Sequence, residues 1–204
     1  MAKTSGSNIG KTGGFAGGDS NYKGEINNPK PLSSIKNNDV FRDIKQGIAK
    51  YHSRLGVRQQ DIKLADLPEN TNGVHVTASG KSSNIYLNSK VYNGKKSDII
   101  ARTKNAYASG WTTKTNKPIQ HTVVHELAHA TWNSHLTSPN AKAAGKEITA
   151  LSKTWLKDRK KKGYGEYSRT NINEFWAEVT TKGVLGEADK YTRSAKRIIK
   201  KYKL

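Results

Sequence analysis

Between Val40 and Leu55 apolar side chains recur every three or four residues, through Phe41, Ile44, Ile48 and Tyr51. This spacing predicts an amphipathic helix over 37–55, with Gly56 as its C-terminal cap. The period then shortens. "DIKLADL" (61–67), "GVHVTA" (73–78) and "NIYLNSKVY" (84–92) are rich in β-branched and aromatic residues and are separated by Asn, Gly and Ser, which predicts three short strands. "KSDIIARTKNAYAS" (96–109) predicts a helix with Ser97 as N-cap, ended by Gly110. Another helix opens at Pro118 and runs to about Trp132. Ile148, Leu151 and Trp155 mark a further one over 141–161, closed by Gly163; "GYGEYSRTN" follows as a loop, and 172–182 as a helix. The last stretch, "KYTRSAKRIIKKYKL" (190–204), predicts a basic helix or a frayed end. Together these elements predict an α+β chain, with a small sheet in the first half and a helical second half.

Residues 1–35 carry only scattered apolar residues among Gly, Ser, Asn and Lys, which predicts a flexible arm. The expected organisation is therefore an arm at 1–35, a folded domain at 36–188 and a basic C-terminal helix at 189–204. "SGSNIGKT" in the arm comes close to a phosphate-binding loop, but Ser5 stands where the first Gly belongs and no strand precedes it, so that reading is rejected.

Composition narrows the function classes. The chain has 204 residues, 33% hydrophobic, and no apolar run long enough to span a bilayer. The N-terminus has no apolar core of a secretory signal, so host cytoplasm or a virion is the expected setting. With no cysteine, disulfides and thiolate ligands are excluded, and a metal has to be held by His and carboxylate. The net charge of +20 favours a polyanionic partner such as nucleic acid.

The candidate chemistry lies in "HTVVHELAHA" (121–130). His125 and His129, at i and i+4, project from one helix face, where two imidazoles converge on one Zn²⁺. Glu126 is placed to act as a general base on a water beside the metal, the H-E-x-x-H arrangement. Val123, Val124, Leu127 and Ala128 make the surroundings apolar, and burying such a polar cluster is costly unless it is paired or binds metal. His121 lies one turn earlier; a fourth protein ligand would close the position catalysis needs, so it is expected to be solvated or hydrogen-bonded. His52, His75 and His135 stand alone and are expected to be structural. A third ligand is required. In "NEFWAE" (173–178), Glu174 and Glu178 share a face. Glu174 either completes His₂Glu or forms a capping box with Asn171, and spacing leaves both open. Glu178 is then placed to orient a ligand from behind.

"HELAH" followed by "YSRTNINEFWAE" resembles the gluzincin metallopeptidases of the anthrax lethal factor-like type, related domains of which occur in phage and mobile-element proteins. The likeness covers roughly 84–186 and departs from the common pattern at Ala128, where many relatives carry Gly. It implies a zincin-like domain with a small mixed sheet and an active-site helix. It also implies Zn²⁺ held by His125, His129 and Glu174, Glu126 as general base, Tyr167 as oxyanion donor, and hydrolysis of peptide bonds in a protein or peptide substrate. "NIYLN" resembles the edge strand on which such folds hold an extended peptide. The competing expectation is a basic structural or nucleic-acid-associated virion protein that retains the fold.

Overall fold

Asn37 accepts the backbone N–H groups of Asp39 and Val40 at 3.0 and 3.3 Å and so opens α1 (Asn38–Leu55). Gly56 closes it at φ +70°, a conformation that costs a residue without a Cβ little. The computed structural model describes residues 25–57, 60–78, 82–159 and 162–204. In it α1 is followed by β2 (Asp61–Asp66), β3 (Gly73–Ala78) and β4 (Ser82–Asn88). These three strands and β1 (Asn27–Pro31) form one mixed sheet in the order β1-β2-β4-β3. Only the β2–β4 pair is parallel. The helices that follow are α2 (Ser89–Tyr92), α3 (Lys96–Ala108), α4 (Pro118–Thr137), α5 (Ala141–Lys157), α6 (Ile172–Leu185) and α7 (Lys190–Tyr202). The α+β class and the small mixed sheet are as expected.

Several details differ from the sequence reading. Residues 27–31 fall in the expected arm, yet they form β1. All five residues are exposed, so there is no alternation to read; besides the backbone ladder, the Asn28 amide donates to Asp66 of β2 at 2.8 Å. Residues 1–24 of that arm lie outside the described residues. "NIYLN" is not an edge: β4 pairs on both sides, and the edge strands are β1 and β3. "SKVY" leaves the sheet as α2, because the Asn88 side chain accepts from Lys90 N at 3.1 Å and starts a helical turn. Ser97 does not cap α3; the helix starts at Lys96 and Ser97 Oγ donates to Asp98. α4 runs five residues past Trp132, whereas α5 ends at Lys157.

The 189–204 segment is part of the core rather than an appendage. Tyr191, Ala195, Ile198 and Ile199 form a buried stripe, and α7 packs on α5 and α6. Asp189 fixes its start through a capping box with Thr192, and also accepts from Tyr164 at 2.8 Å and Lys182 at 2.9 Å.

α4 is the central helix. It touches α1, α3, α5, α6, β3 and β4, and every residue from Ile119 to Asn133 is buried. Such a helix has no solvent face, so its polar residues need partners inside the protein. Two contacts set its position against α1. Gly47 brings the backbones together, since a Cβ there would meet Gln120 at 3.0 Å; Tyr51 OH donates to Leu127 O at 3.0 Å and bonds the Thr131 hydroxyl.

Candidate metal centre

α4 and α6 cross so that one face of each carries the site. Pro118 occupies the first turn of α4, where a missing N–H costs nothing. On α6, Asn171 Oδ1 accepts from Asn173 N and Glu174 N, both at 2.9 Å. The cap that the sequence set against a ligand role for Glu174 therefore uses only that residue's backbone. Its side chain is free to point at α4.

His125 Nε2 lies 3.1 Å from Glu174 Oε2 and 3.1 Å from His129 Nε2, and His129 Nε2 lies 3.3 Å from Glu174 Oε2. These three atoms form a nearly equilateral triangle. A tetrahedral zinc with bonds of about 2.0–2.1 Å holds its donors about 3.3 Å apart, so the donor set and its spacing fit the ion. The three side chains are 1–2% exposed. Glu126 is equally buried and follows His125 on α4. Its Cγ lies toward Gly73 at the start of the edge strand β3, where an added Cβ would sit 3.3 Å from it and 2.8 Å from Thr122.

Tyr167 reaches the site from the loop between α5 and α6. Its ring stacks on the His125 imidazole, with centroids 5.8 Å apart and planes at 13°, and on Trp111 at 5.2 Å. The loop is held by a short ladder to the segment before α4: Glu166 N donates to Gly110 O and Tyr167 N to Trp111 O, each at 2.8 Å. Gly165 makes this approach possible, since a Cβ there would fall within 3.0 Å of the Trp111 and Thr112 backbone.

Behind the triangle runs a polar chain that the sequence reading found only in part. Glu178 Oε1 lies 3.2 Å from His125 Nδ1, an ion pair rather than an aligned hydrogen bond. The same oxygen accepts from the Thr112 hydroxyl at 2.7 Å, and Oε2 accepts from Thr113 N at 2.5 Å. Thr112 has a single hydroxyl proton. With that proton on Glu178, the 3.1 Å contact of Thr112 Oγ1 with His121 Nε2 makes the imidazole N–H the donor. His121 Nδ1 then accepts from Tyr107 OH at 3.0 Å, and Thr115 donates to Tyr107 at 2.8 Å. His121 is therefore not solvated: it is fully buried in a chain of one polarity running from Thr115 to Glu178. His121, His125 and Glu178 also lie close enough to bracket an ion. Thr112 bridges His121 to Glu178, however, so hydrogen bonding already accounts for that group.

Burial pushes the His121 pKa down to about 4; Glu178 opposes the shift and His125 adds to it, so the ring is neutral. Burial also acts to lower His125, but Glu174 and Glu178, facing its two nitrogens, outweigh burial and raise it well above the ordinary value. Burial acts to raise both carboxylates, yet His129 and His125 hold Glu174 well below its usual range, and His125, with the Thr113 N–H, lowers Glu178. The metal-free cluster is thus an imidazolium between two carboxylates.

His75, His52 and His135 stay outside the triangle. His75 is buried on β3 beside Asn133, at 3.3 Å, and burial, aided by His129, lowers its pKa to about 3. His52 and His135 bond the carbonyls of Val57 and Trp132 at 3.1 and 2.6 Å. Thr112 and Thr113 carried no readable signal beyond "SGWTT" before the helix, and Tyr107 none beyond its place in the helix predicted over 96–109.

Searches against protein-family models, curated proteins and solved structures find no match for this chain.

Proposed function

We propose that this chain is a zinc-dependent peptidase that hydrolyses peptide bonds, in a phage- or virion-associated setting. The observation that supports the reading most is the buried triangle of His125 Nε2, His129 Nε2 and Glu174 Oε2, with sides of 3.1–3.3 Å, beside the equally buried Glu126. Three protein donors, with no fourth among the described residues, suit a catalytic rather than a structural centre. The bound ion supplies Lewis acidity for water and for the scissile carbonyl.

The chain's own groups do the rest. Glu126 accepts the proton from the attacking water and passes it to the leaving amine. Tyr167, held flat against His125, offers a neutral phenol to the oxygen on which negative charge develops. Glu178 and Thr112 keep the His125 ring turned so that Nε2 faces the triangle. Among the described residues β3 has one unpaired edge, on which an extended peptide adds as a strand, and the start of β3 at Gly73 approaches Glu126.

The test combines metal analysis with a broad peptide library. Zinc-loaded protein should carry one ion per chain and cleave the library, and Glu126→Gln should keep the ion and lose cleavage. Equal cleavage by the two proteins, or a zinc content unchanged by Glu174→Ala, overturns the proposal.

A further inference from the structure

We propose that the solvent face of α7, together with Lys50 and Arg54 of α1 and Lys117 before α4, docks the phosphate backbone of a nucleic-acid duplex. The inference concerns a face other than the metal centre and does not depend on the peptidase reading.

α7 carries basic residues and no acidic one, and all its basic side chains are exposed. Lys190 and Lys201 are paired with Asp158 and Glu147. Arg193, Lys196, Arg197, Lys200 and Lys203 have no carboxylate within 4.0 Å among the described residues. Their spacing places them along one side of a rigid helix whose other side is in the core. The ridge continues onto α1. Arg54, Arg193 and Lys196 line one cleft of about 240 Å³. Arg54 is held there by the carbonyls of Val184 and Gly183 at 2.8 and 3.2 Å. Lys50 adjoins this cluster: its pKa is lowered by burial and then by Lys117 and Arg54. Like charges that outnumber the nearby carboxylates repel one another, and a polyanion relieves that repulsion.

The chemistry of the face selects the polyanion. A bilayer needs an apolar flank to enter it, but Tyr191, Ala195, Ile198 and Ile199 of α7 are buried. Single strands are held by stacking on exposed rings. The large hydrophobic side chains exposed among the described residues are Trp111, Leu136 and Leu156, none of them on α7 or α1. What remains is a row of cations about 20 Å long, the length of thirteen helical residues, suited to a duplex backbone with one charge per about 1.7 Å of axis.

The test measures binding of the full chain to a fluorescein-labelled 24-base-pair duplex in EDTA, across 50–200 mM NaCl. Five engaged phosphates weaken binding about 500-fold over that range; losing three of them leaves about a 10-fold change. Arg193→Gln/Lys196→Gln/Lys200→Gln should melt as the parent does, because these side chains are exposed and unpaired. It should lower the slope of log K against log salt by about 2.7. The control Lys36→Gln/Lys90→Gln/Lys104→Gln removes the same charge from exposed positions outside α1, α4 and α7, and should leave the slope within about one unit. Three results overturn the proposal: no duplex binding at 50 mM NaCl; equal losses in both triple variants; or α7-dependent binding to phosphatidylserine vesicles with none to the duplex.

Discussion

Glu178→Gln is the sharpest probe of how the site is held, because a carboxylate and an amide of the same shape differ there in a countable way. Glu178 is fully buried and meets donors at both oxygens. Oε1 accepts from Thr112 at 2.7 Å and faces His125 Nδ1 at 3.2 Å, and Oε2 accepts from Thr113 N at 2.5 Å. A glutamine has one acceptor oxygen and one NH₂. If the oxygen replaces Oε1, the NH₂ abuts the Thr113 N–H. If it replaces Oε2, Thr112 and His121 can reverse their donor roles, but the NH₂ then confronts His125 Nδ1–H. Either way one charge-assisted hydrogen bond is lost, about 1.5–3 kcal/mol, and one buried donor is stranded, about 1–3 kcal/mol. Burying an amide instead of a charge offsets part of this, leaving about 3 kcal/mol. For a chain of this size that lowers the melting temperature by about 6–12 °C. Zinc binding should weaken about 10–100-fold, because the group that orients His125 is removed. Thermal unfolding in EDTA reads the first quantity and competition with a chromophoric chelator the second, with exposed Glu187→Gln as the control. The reasoning fails if Glu178→Gln melts within about 1 °C of the parent and binds zinc within about twofold of it, since the expected shifts lie well outside those limits.

The charge state of the metal-free cluster leads to a second expectation. Because His125 is held protonated between Glu174 and Glu178, zinc binding near pH 7 should release about one proton. Calorimetry in buffers of different ionisation enthalpy measures this, and no buffer dependence would count against it. The linked stability has two limbs. The raised His125 contributes stability that is complete below its unfolded pKa and is lost as pH rises through its folded one. The lowered Glu174 and Glu178 contribute stability that is complete above the usual carboxylate range and is lost as pH falls through their folded values. The metal-free protein should therefore melt highest between the usual carboxylate range and the ordinary histidine value, decline from there toward the raised His125 value, and lose that alkaline decline in His125→Asn. Gly165→Ala forces a methyl against the backbone of Trp111 and Thr112, and should cost about 1–3 kcal/mol in urea unfolding while loosening Tyr167. An alanine variant as stable as the parent would show that the two loops are not in tight contact.

Periodicity alone placed α1 to within a residue, found β2 and β3, and put His125, Glu126 and His129 on one helix, because each of these rests on local spacing. The i and i+4 pairs of α4 and α6 are likewise local, and so was the capping role of Asn171. The distance between Glu174 and the two histidines is not local: it depends on how α6 crosses α4, through residues whose apolar pattern says only that they are buried. The same holds for His121, which reads as the start of a helix and proves to be the middle of a buried chain. Its partners Tyr107, Thr112 and Glu178 come from three separate segments. β1 escaped notice because a strand exposed on every side chain has no alternation; α7 was legible as a basic helix, but its place in the core was not, because its lysines and arginines outnumber the four apolar residues that anchor it. Local spacing thus determined which residues share a face. Only the packing of α4 against α6, α1 and the sheet decided which faces meet, because burial is shared among elements far apart in the chain while hydrophobic periodicity records only the demand of each one.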